Sequence, residues 1–239
     1  MYNSTNLYTD GKYEEKFKDW HLSDAESKVK DIAKYLQFFV GDRSPQKITI
    51  GDIGCGFGGV SNGILKWAAH QYPQVSWDIN CFEISAYAAT KAKEIFPHLK
   101  VFNRNIAEQD GPLDILLFID VLEHLENPSE FLRQAAIGEY IIVRQPLLEN
   151  YSTFRNKNYK SQREEWGHIA YFSYYSFIDL MESNGWIPYK IDLVPPWELN
   201  TREKFVKLAS WKKILTTWDK TTMSYFISGF YLNGIFKRK

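Results

Sequence analysis

Cysteine is nearly missing from this chain of 239 residues, which carries only Cys55 and Cys81. Two cysteines build neither a disulfide framework nor a metal site of their own, and they fit a reducing compartment. Net charge is missing too. The 29 basic residues balance 29 acidic ones, which argues against an extended nucleic-acid surface, because such a surface needs an excess of Lys and Arg. The basic end "FKRK" reads as a solvated tail. No apolar run approaches the ~20 residues of a membrane span. The opening "MYNSTNLYTDGKYEEKFKDW" has no basic-then-apolar leader pattern. A cytoplasmic protein is the resulting expectation. There is no internal repeat or low-complexity tract, and no His–carboxylate cluster in the sequence that demands a metal, so none is expected.

What the chain does have is aromatic side chains, 16% of the total, and one dense glycine cluster. "IGDIGCGFGG" places Gly51, Gly54, Gly56, Gly58 and Gly59 directly after the strand signal "KITI". Glycine this dense belongs where backbone turns sharply or comes close to a ligand. Ahead of it, Ser23 and Glu26 fit a capping box. Val29, Ile32, Ala33, Leu36 and Val40 then follow at helical spacing, with Lys28, Lys30, Asp31 and Lys34 facing outward. After it, strand and helix signals alternate: "SWDINCFEIS", "AYAATKAKEIF", "LKVFNRN", the almost wholly apolar "LDILLFID", "NPSEFLRQAA" and "EYIIVRQP". This is the pattern of an α/β protein with a doubly wound parallel sheet.

Residues 148–170 break that rhythm with polar and aromatic side chains and no apolar period, as a lid does. "SYYSFIDLMESNGW" is the next helix and "IPYKIDLV" a sixth strand. Residues 195–222 read as a helical insertion, and "MSYFISGFYLNGIFK" closes the chain as a seventh strand or hairpin. The expected organisation is an N-terminal helical cap over 1–46 and a domain over 47–239.

A glycine turn at the carboxyl end of the first strand lies where such sheets bind ligands. Gly54, Gly56 and Gly59 satisfy the dinucleotide spacing. Asp52 favours a different ligand: a carboxylate repels a pyrophosphate but suits an ammonium group. On these residues the chain resembles the class I S-adenosylmethionine-dependent methyltransferases, in the small-molecule branch. "GDIGCGFGG" looks like their first motif, in which the acid, Gly54, Gly56 and Gly58 line the methionine part of the cofactor. The resemblance implies that Glu83 accepts both ribose hydroxyls, that Ile84 packs on adenine, and that Asn105 and Ile106 meet the adenine amino group. It implies that Asp120, in "DVLEHL", touches the cofactor through its backbone. It also implies a Rossmann-like sheet of order 3-2-1-4-5-7-6 with the last strand antiparallel.

His124 and His168 are candidates for taking a proton from the methyl acceptor. Each has a structural alternative: local packing at a helix start for His124, a link between the 148–170 segment and the core for His168. Tyr8, Tyr13, Trp20, His21 and Trp166 are candidate pocket residues, with core packing as the alternative for the N-terminal group. The expected function is methyl transfer from S-adenosylmethionine to an O or N nucleophile of a small molecule, such as a sugar or natural-product intermediate. An RNA or protein methyltransferase, a non-catalytic cofactor-binding module and a nicotinamide enzyme are the rival readings.

Overall fold

The alternating apolar runs become one seven-stranded sheet. The computed structural model describes residues 18–20, 22–41, 46–109, 111–198 and 219–239. Helix α1 (Ala25–Val40) is followed by β1 (Lys47–Ile53), α2 (Gly59–Gln71), β2 (Ser76–Phe82), α3 (Ala86–Ile95), β3 (Lys100–Phe102) and β4 (Leu113–Ile119). Then come α4 (Pro128–Gln134), β5 (Gly138–Pro146), α5 (Tyr151–Arg155), α6 (Tyr159–Trp166), α7 (Tyr174–Ser183), β6 (Trp186–Val194), α8 (Lys220–Phe226) and β7 (Tyr231–Arg238). The strand order is β3-β2-β1-β4-β5-β7-β6. Strands β1 to β5 pair in parallel, and β7 runs antiparallel to both β5 and β6. The expected fold is therefore present. The order reverses between β1 and β4, so a crevice opens beyond their carboxyl ends.

Strand β4 shows why its sequence is so apolar. Ile115, Leu117 and Ile119 face the layer formed with Val29, Ile32 and Leu36 of α1, Ile64 of α2 and Ala89 of α3. Leu116 and Phe118 face the opposite layer, with Leu132 of α4 and Phe177 and Met181 of α7. A strand covered on both faces has no polar side to show.

Several local expectations change. Ser23 and Glu26 form no capping box: Asp24 holds the N-cap of α1, and the Ser23 hydroxyl donates to Asp19 at 2.7 Å. Lys28 and Asp31 do not face outward; both are buried, at 9% and 7% exposure, because each meets a charge of opposite sign beneath the helix. The third strand stops at Phe102, since Asn103 turns back and donates its side-chain amide to the carbonyls of Glu83 and Ile84. The 148–170 segment is not irregular. Asn150 caps α5 by accepting from the Thr153 amide, and α6 ends on Gly167 at φ +74°. The closing stretch divides into α8 and β7. Of the expected insertion, only 195–198 and 219–222 fall within the described residues. Among the described residues, no helix is long and apolar enough to cross a membrane.

Gly234 sits in β7 between two partners, beside the irregularity at Pro188/Lys190 of β6. A Cβ there would lie 2.6 Å from the Lys190 carbonyl oxygen and 2.8 Å from the Ile191 Cα. Backbone cannot swing aside as a side chain can. Gly234→Ala should therefore lower unfolding free energy in urea by about 1–3 kcal/mol. A change within about 0.5 kcal/mol would show that β6 shifts freely at its bulge.

Candidate active site

The β1–α2 turn passes through three glycines at positive φ: Gly54 (+66°), Gly56 (+54°) and Gly58 (+81°). The Gly54 amide donates to the Phe82 carbonyl at 2.8 Å, which ties the turn to the end of β2. At Gly56 the need for glycine is steric as well as conformational. A Cβ would lie 2.5 Å from Cδ1 of Trp20, whose indole stacks on Phe57. Trp20 thus closes one side of a cavity of about 550 Å³.

Glu83 lies at the head of that cavity, 5% exposed. Its two oxygens accept from the amides of Gly56 (2.9 Å) and Ser85 (2.8 Å). Burial pushes its carboxyl above the ordinary range, against the pull of those amides. Ile84 beside it is an exposed apolar side chain on the cavity wall, at 46%. Beneath the turn, Asp52 accepts from the Ser61 hydroxyl at 2.6 Å. Burial lifts its carboxyl to about 6, with Glu83 adding repulsion and Ser61 opposing.

The floor is an ion network absent from the sequence reading. Arg144, at the end of β5, donates from Nε to Asp31 (3.1 Å) and from Nη1 to Asp120 (2.5–2.6 Å). Its guanidinium lies 4.2 Å from the centre of the Tyr231 ring. Lys28 reaches Asp120 at 3.2 Å and Asp24 at 3.3 Å. Burial works against the Lys28 charge, yet Asp120 and Asp24 outweigh it and hold the ammonium above its usual pKa. Burial also raises Asp120, but Arg144 and Lys28 pull its carboxyl below the usual range. Asp120 adopts a left-handed φ of +59°, and its amide donates to the Arg144 carbonyl.

The far wall carries Glu123, His124 and His168. The two imidazoles stand 4.9 Å apart, centre to centre. His124 Nδ1 is 3.3 Å from the Gly167 carbonyl oxygen, and His168 Nδ1 is 2.9 Å from Gln162 Oε1. The Glu123 carbonyl accepts the amides of Ile169 (2.8 Å) and Ala170 (3.0 Å), so the stretch after α6 is pinned to this wall. Gln145 donates to Glu123 Oε2 at 3.2 Å, and Trp166 lies at the rim, 41% exposed.

Asp52, Gly54, Gly56, Glu83, Ile84, Asp120, His124, His168, Trp20 and Trp166 therefore meet on one cavity. Gly58 does not reach it; a Cβ there would meet Leu99 and Phe96 instead. Asn105 spends its carbonyl on the Ala107 amide, capping a short turn over Ile106–Glu108, and Ile106 is 1% exposed in the core. Tyr8, Tyr13 and His21 lie outside the described residues.

A family model described as a methyltransferase domain matches residues 10–189, three quarters of the chain. The chain belongs to this methyltransferase family. It carries an S-adenosylmethionine-dependent methyltransferase domain, as its motifs imply. Two ubiquinone biosynthesis O-methyltransferases, from Maricaulis maris and Caulobacter vibrioides, are 31% and 30% identical over 96 and 95 residues, or 40% and 39% of this chain. The chain spans 38% of the length of these curated relatives. Among solved structures, the fold matches magnesium protoporphyrin IX methyltransferase from Synechocystis with bound S-adenosylmethionine: TM-score 0.61, 11% identity, covering 100% of this chain and 99% of that one. It also matches a possible histamine N-methyltransferase from Thermotoga maritima: TM-score 0.59, 16% identity, 98% of each chain.

Asp52 gives this methyltransferase domain a measurable pH signature. Its folded pKa of about 6 exceeds the ordinary 3.8, so the fold favours the protonated acid. The stabilisation is full below about pH 3.8 and is lost as pH rises through 6. Two units correspond to about 3 kcal/mol. Urea unfolding of the cofactor-free protein should show Asp52→Asn gaining about that much on wild type between about pH 3.5 and 7. Parallel stability curves would mean that Asp52 is ionised in the fold.

Proposed function

We propose that the protein transfers a methyl group from S-adenosylmethionine to an oxygen or nitrogen nucleophile of a small molecule. One observation carries this reading. A single cavity joins the glycine turn, Glu83 and Ile84 at one end to Glu123, His124 and His168 at the other. The first end suits the donor. Glu83 is a buried, rigidly held acceptor for ribose hydroxyls, Ile84 offers an apolar face for adenine, and the turn exposes backbone where a side chain is barred. Asp52 and the Lys28–Asp120–Arg144 network lie between the ends and suit the amino-acid portion, with both signs of charge available. Gly58, Asn105 and Ile106 support the turn and its neighbour from behind and contribute no wall to this site.

The far end suits the acceptor. Methyl transfer is an in-line displacement for which the protein supplies alignment, a dry site and a destination for the acceptor's proton. His124 and His168 line this end and are the groups to which we assign that proton. The curated relatives are named as O-methyltransferases, which favours a hydroxyl over an amine as the acceptor. We take residues 1–46 as the cap, on the strength of Trp20, Asp24 and Lys28 at the cavity, and 148–170 as the lid, on Gln162, Trp166 and His168. The balanced charge supports a metabolite over a nucleic acid as substrate, and the free thiols of Cys55 and Cys81 support a cytoplasmic location.

Incubation with S-adenosylmethionine and a panel of phenols, sugars and amines, read by mass spectrometry, should give a product heavier by one methylene; methyl transfer to none of them would count against the reading. Glu83→Gln tests the donor end. Its amide nitrogen would face either the Gly56 or the Ser85 amide, donor against donor, and the charged acceptor would be lost. S-adenosylhomocysteine affinity by calorimetry should fall about tenfold or more, at ~1.5 kcal/mol or above. Unchanged affinity would remove Glu83 from the cofactor site.

A further inference from the structure

One buried atom at the far wall is left over by the hydrogen bonding. Glu123 is 1% exposed and lines the cavity, yet its Oε1 has no hydrogen-bond partner among the described residues. Gln145 fixes the role of the other oxygen. Gln145 Nε2 lies 3.2 Å from the Pro146 carbonyl, which can only accept, so the nitrogen is the atom that points this way. The same nitrogen donates to Glu123 Oε2 at 3.2 Å, and Oε2 is therefore an acceptor. Burial pushes the Glu123 carboxyl well above the ordinary range and Asp120 adds repulsion, against the pull of its own amide, Gln145 and Arg144. In the protonated acid the hydrogen then sits on Oε1, the oxygen that no donor faces.

His124 supplies the complementary atom. Its Nδ1 is 3.3 Å from the Gly167 carbonyl oxygen, so in the neutral imidazole Nδ1 carries the hydrogen and Nε2 the lone pair. Nε2 lies 3.9 Å from Glu123 Oε1, too far for a direct hydrogen bond. A donor and an acceptor thus stand side by side with a gap between them. One oxygen atom about 2.8 Å from each bridges them at an angle of about 90°.

We infer that Glu123 Oε1 donates a hydrogen bond to the methyl-accepting atom while His124 Nε2 receives that atom's proton, and that this pair makes the site select a hydroxyl over an amine. The inference rests on the proposed methyl transfer and decides between the oxygen and nitrogen nucleophiles which that reading allows. A hydroxyl has one hydrogen and two lone pairs. It gives the hydrogen to His124, accepts from Glu123 with one lone pair and keeps the other for the methyl group. A neutral amine has a single lone pair, and once that pair accepts from Glu123 it cannot attack. An ammonium group has none and sets donor against donor. As the oxygen–carbon bond forms, the carbon–sulfur bond breaks onto sulfur and the hydroxyl proton moves to His124 Nε2. Glu123 keeps its own proton throughout and stabilises the charge that gathers on the oxygen as the hydroxyl proton departs.

The test compares wild type with Glu123→Gln and Glu123→Leu, each shown to be folded by a cooperative urea transition. Gln keeps the shape and places an amide N–H where Oε1–H stands, with its oxygen still facing Gln145. Leu removes the donor. The acceptors are matched pairs: phenol and aniline, benzyl alcohol and benzylamine, cyclohexanol and cyclohexylamine. With S-adenosylmethionine, wild type should methylate the hydroxyl members with kcat/KM about tenfold or more above their amines. Glu123→Leu should lose about tenfold or more on the hydroxyls and less on the amines, and Glu123→Gln should recover most of that loss. Independently of turnover, the infrared difference between wild type and Glu123→Gln at neutral pH should show the carbonyl stretch of a protonated carboxyl. Equal rates within the pairs, a Gln variant as impaired as the Leu variant, or a carboxylate band in place of the acid band overturns the inference and leaves the methyltransferase reading standing. S-adenosylhomocysteine binding with no transfer to any pair counts against the proposed function, and the inference falls with it.

Discussion

Arg144 is the fixed point of this structure. It is a fully charged side chain, 2% exposed, at the carboxyl end of a central strand. A buried charge is tolerated only where partners surround it, and removal of a partner typically costs about 3–5 kcal/mol. Its partners come from three different elements: Asp31 from α1, Asp120 from the loop after β4, and the Tyr231 ring from β7. Asp120 in turn holds Lys28. One guanidinium thereby decides where the N-terminal helix lies on the sheet, how the chain leaves β4 and where the floor of the cavity sits. The left-handed backbone of Asp120 is part of that arrangement, because it turns the carboxylate back to Arg144 while the amide holds the Arg144 carbonyl.

The cavity inherits its polarity from this network. From the glycine turn inward, the cavity carries an acid raised by burial (Glu83), an acid lifted to about 6 (Asp52) and a cation stabilised by its neighbours (Lys28). Within a few residues of Asp120 the chain reaches Glu123 and His124, so the loop that anchors Arg144 also begins the far wall of the cavity. The stretch after α6 joins the same loop, through the Ile169 and Ala170 amides on the Glu123 carbonyl. Residues 120–124 thus tie together the ion network, the far wall of the cavity and the stretch after α6.

Much of this was legible in the residues. "LDILLFID" reads as a strand buried on both sides, and Ile115, Leu117, Leu116 and Phe118 divide between the two layers as that requires. The glycine turn reads as a ligand loop, and Gly54 and Gly56 lie on the cavity. Charge alone puts Lys28 and Asp31 on the solvent side of the helix, and that hides the ion network. Their spacing held the clue: Lys28, Asp31 and Tyr35 repeat at three and four residues, alongside the apolar stripe. A charge on that stripe needs an opposite charge beneath it, and Arg144 in the otherwise apolar "EYIIVRQP" was available. The resemblance puts Asn105 at the adenine amino group; its local capping bond to the Ala107 amide and the short range of β3 appear only once the backbone is placed. Helix α6 carries no apolar period because it has no fully buried side chain, so periodicity could not find it.

The dependence of the cavity on Arg144 is tested most directly by calorimetric titration of S-adenosylhomocysteine into wild type and Asp31→Asn. Asp31 is not among the residues that line the cavity, and its ion pair with Arg144 links it to those that do. The account predicts that wild type binds and that the folded variant binds about tenfold or more weakly, as Asp120 and Lys28 lose their fixed positions. Equal affinity in the two proteins would contradict it.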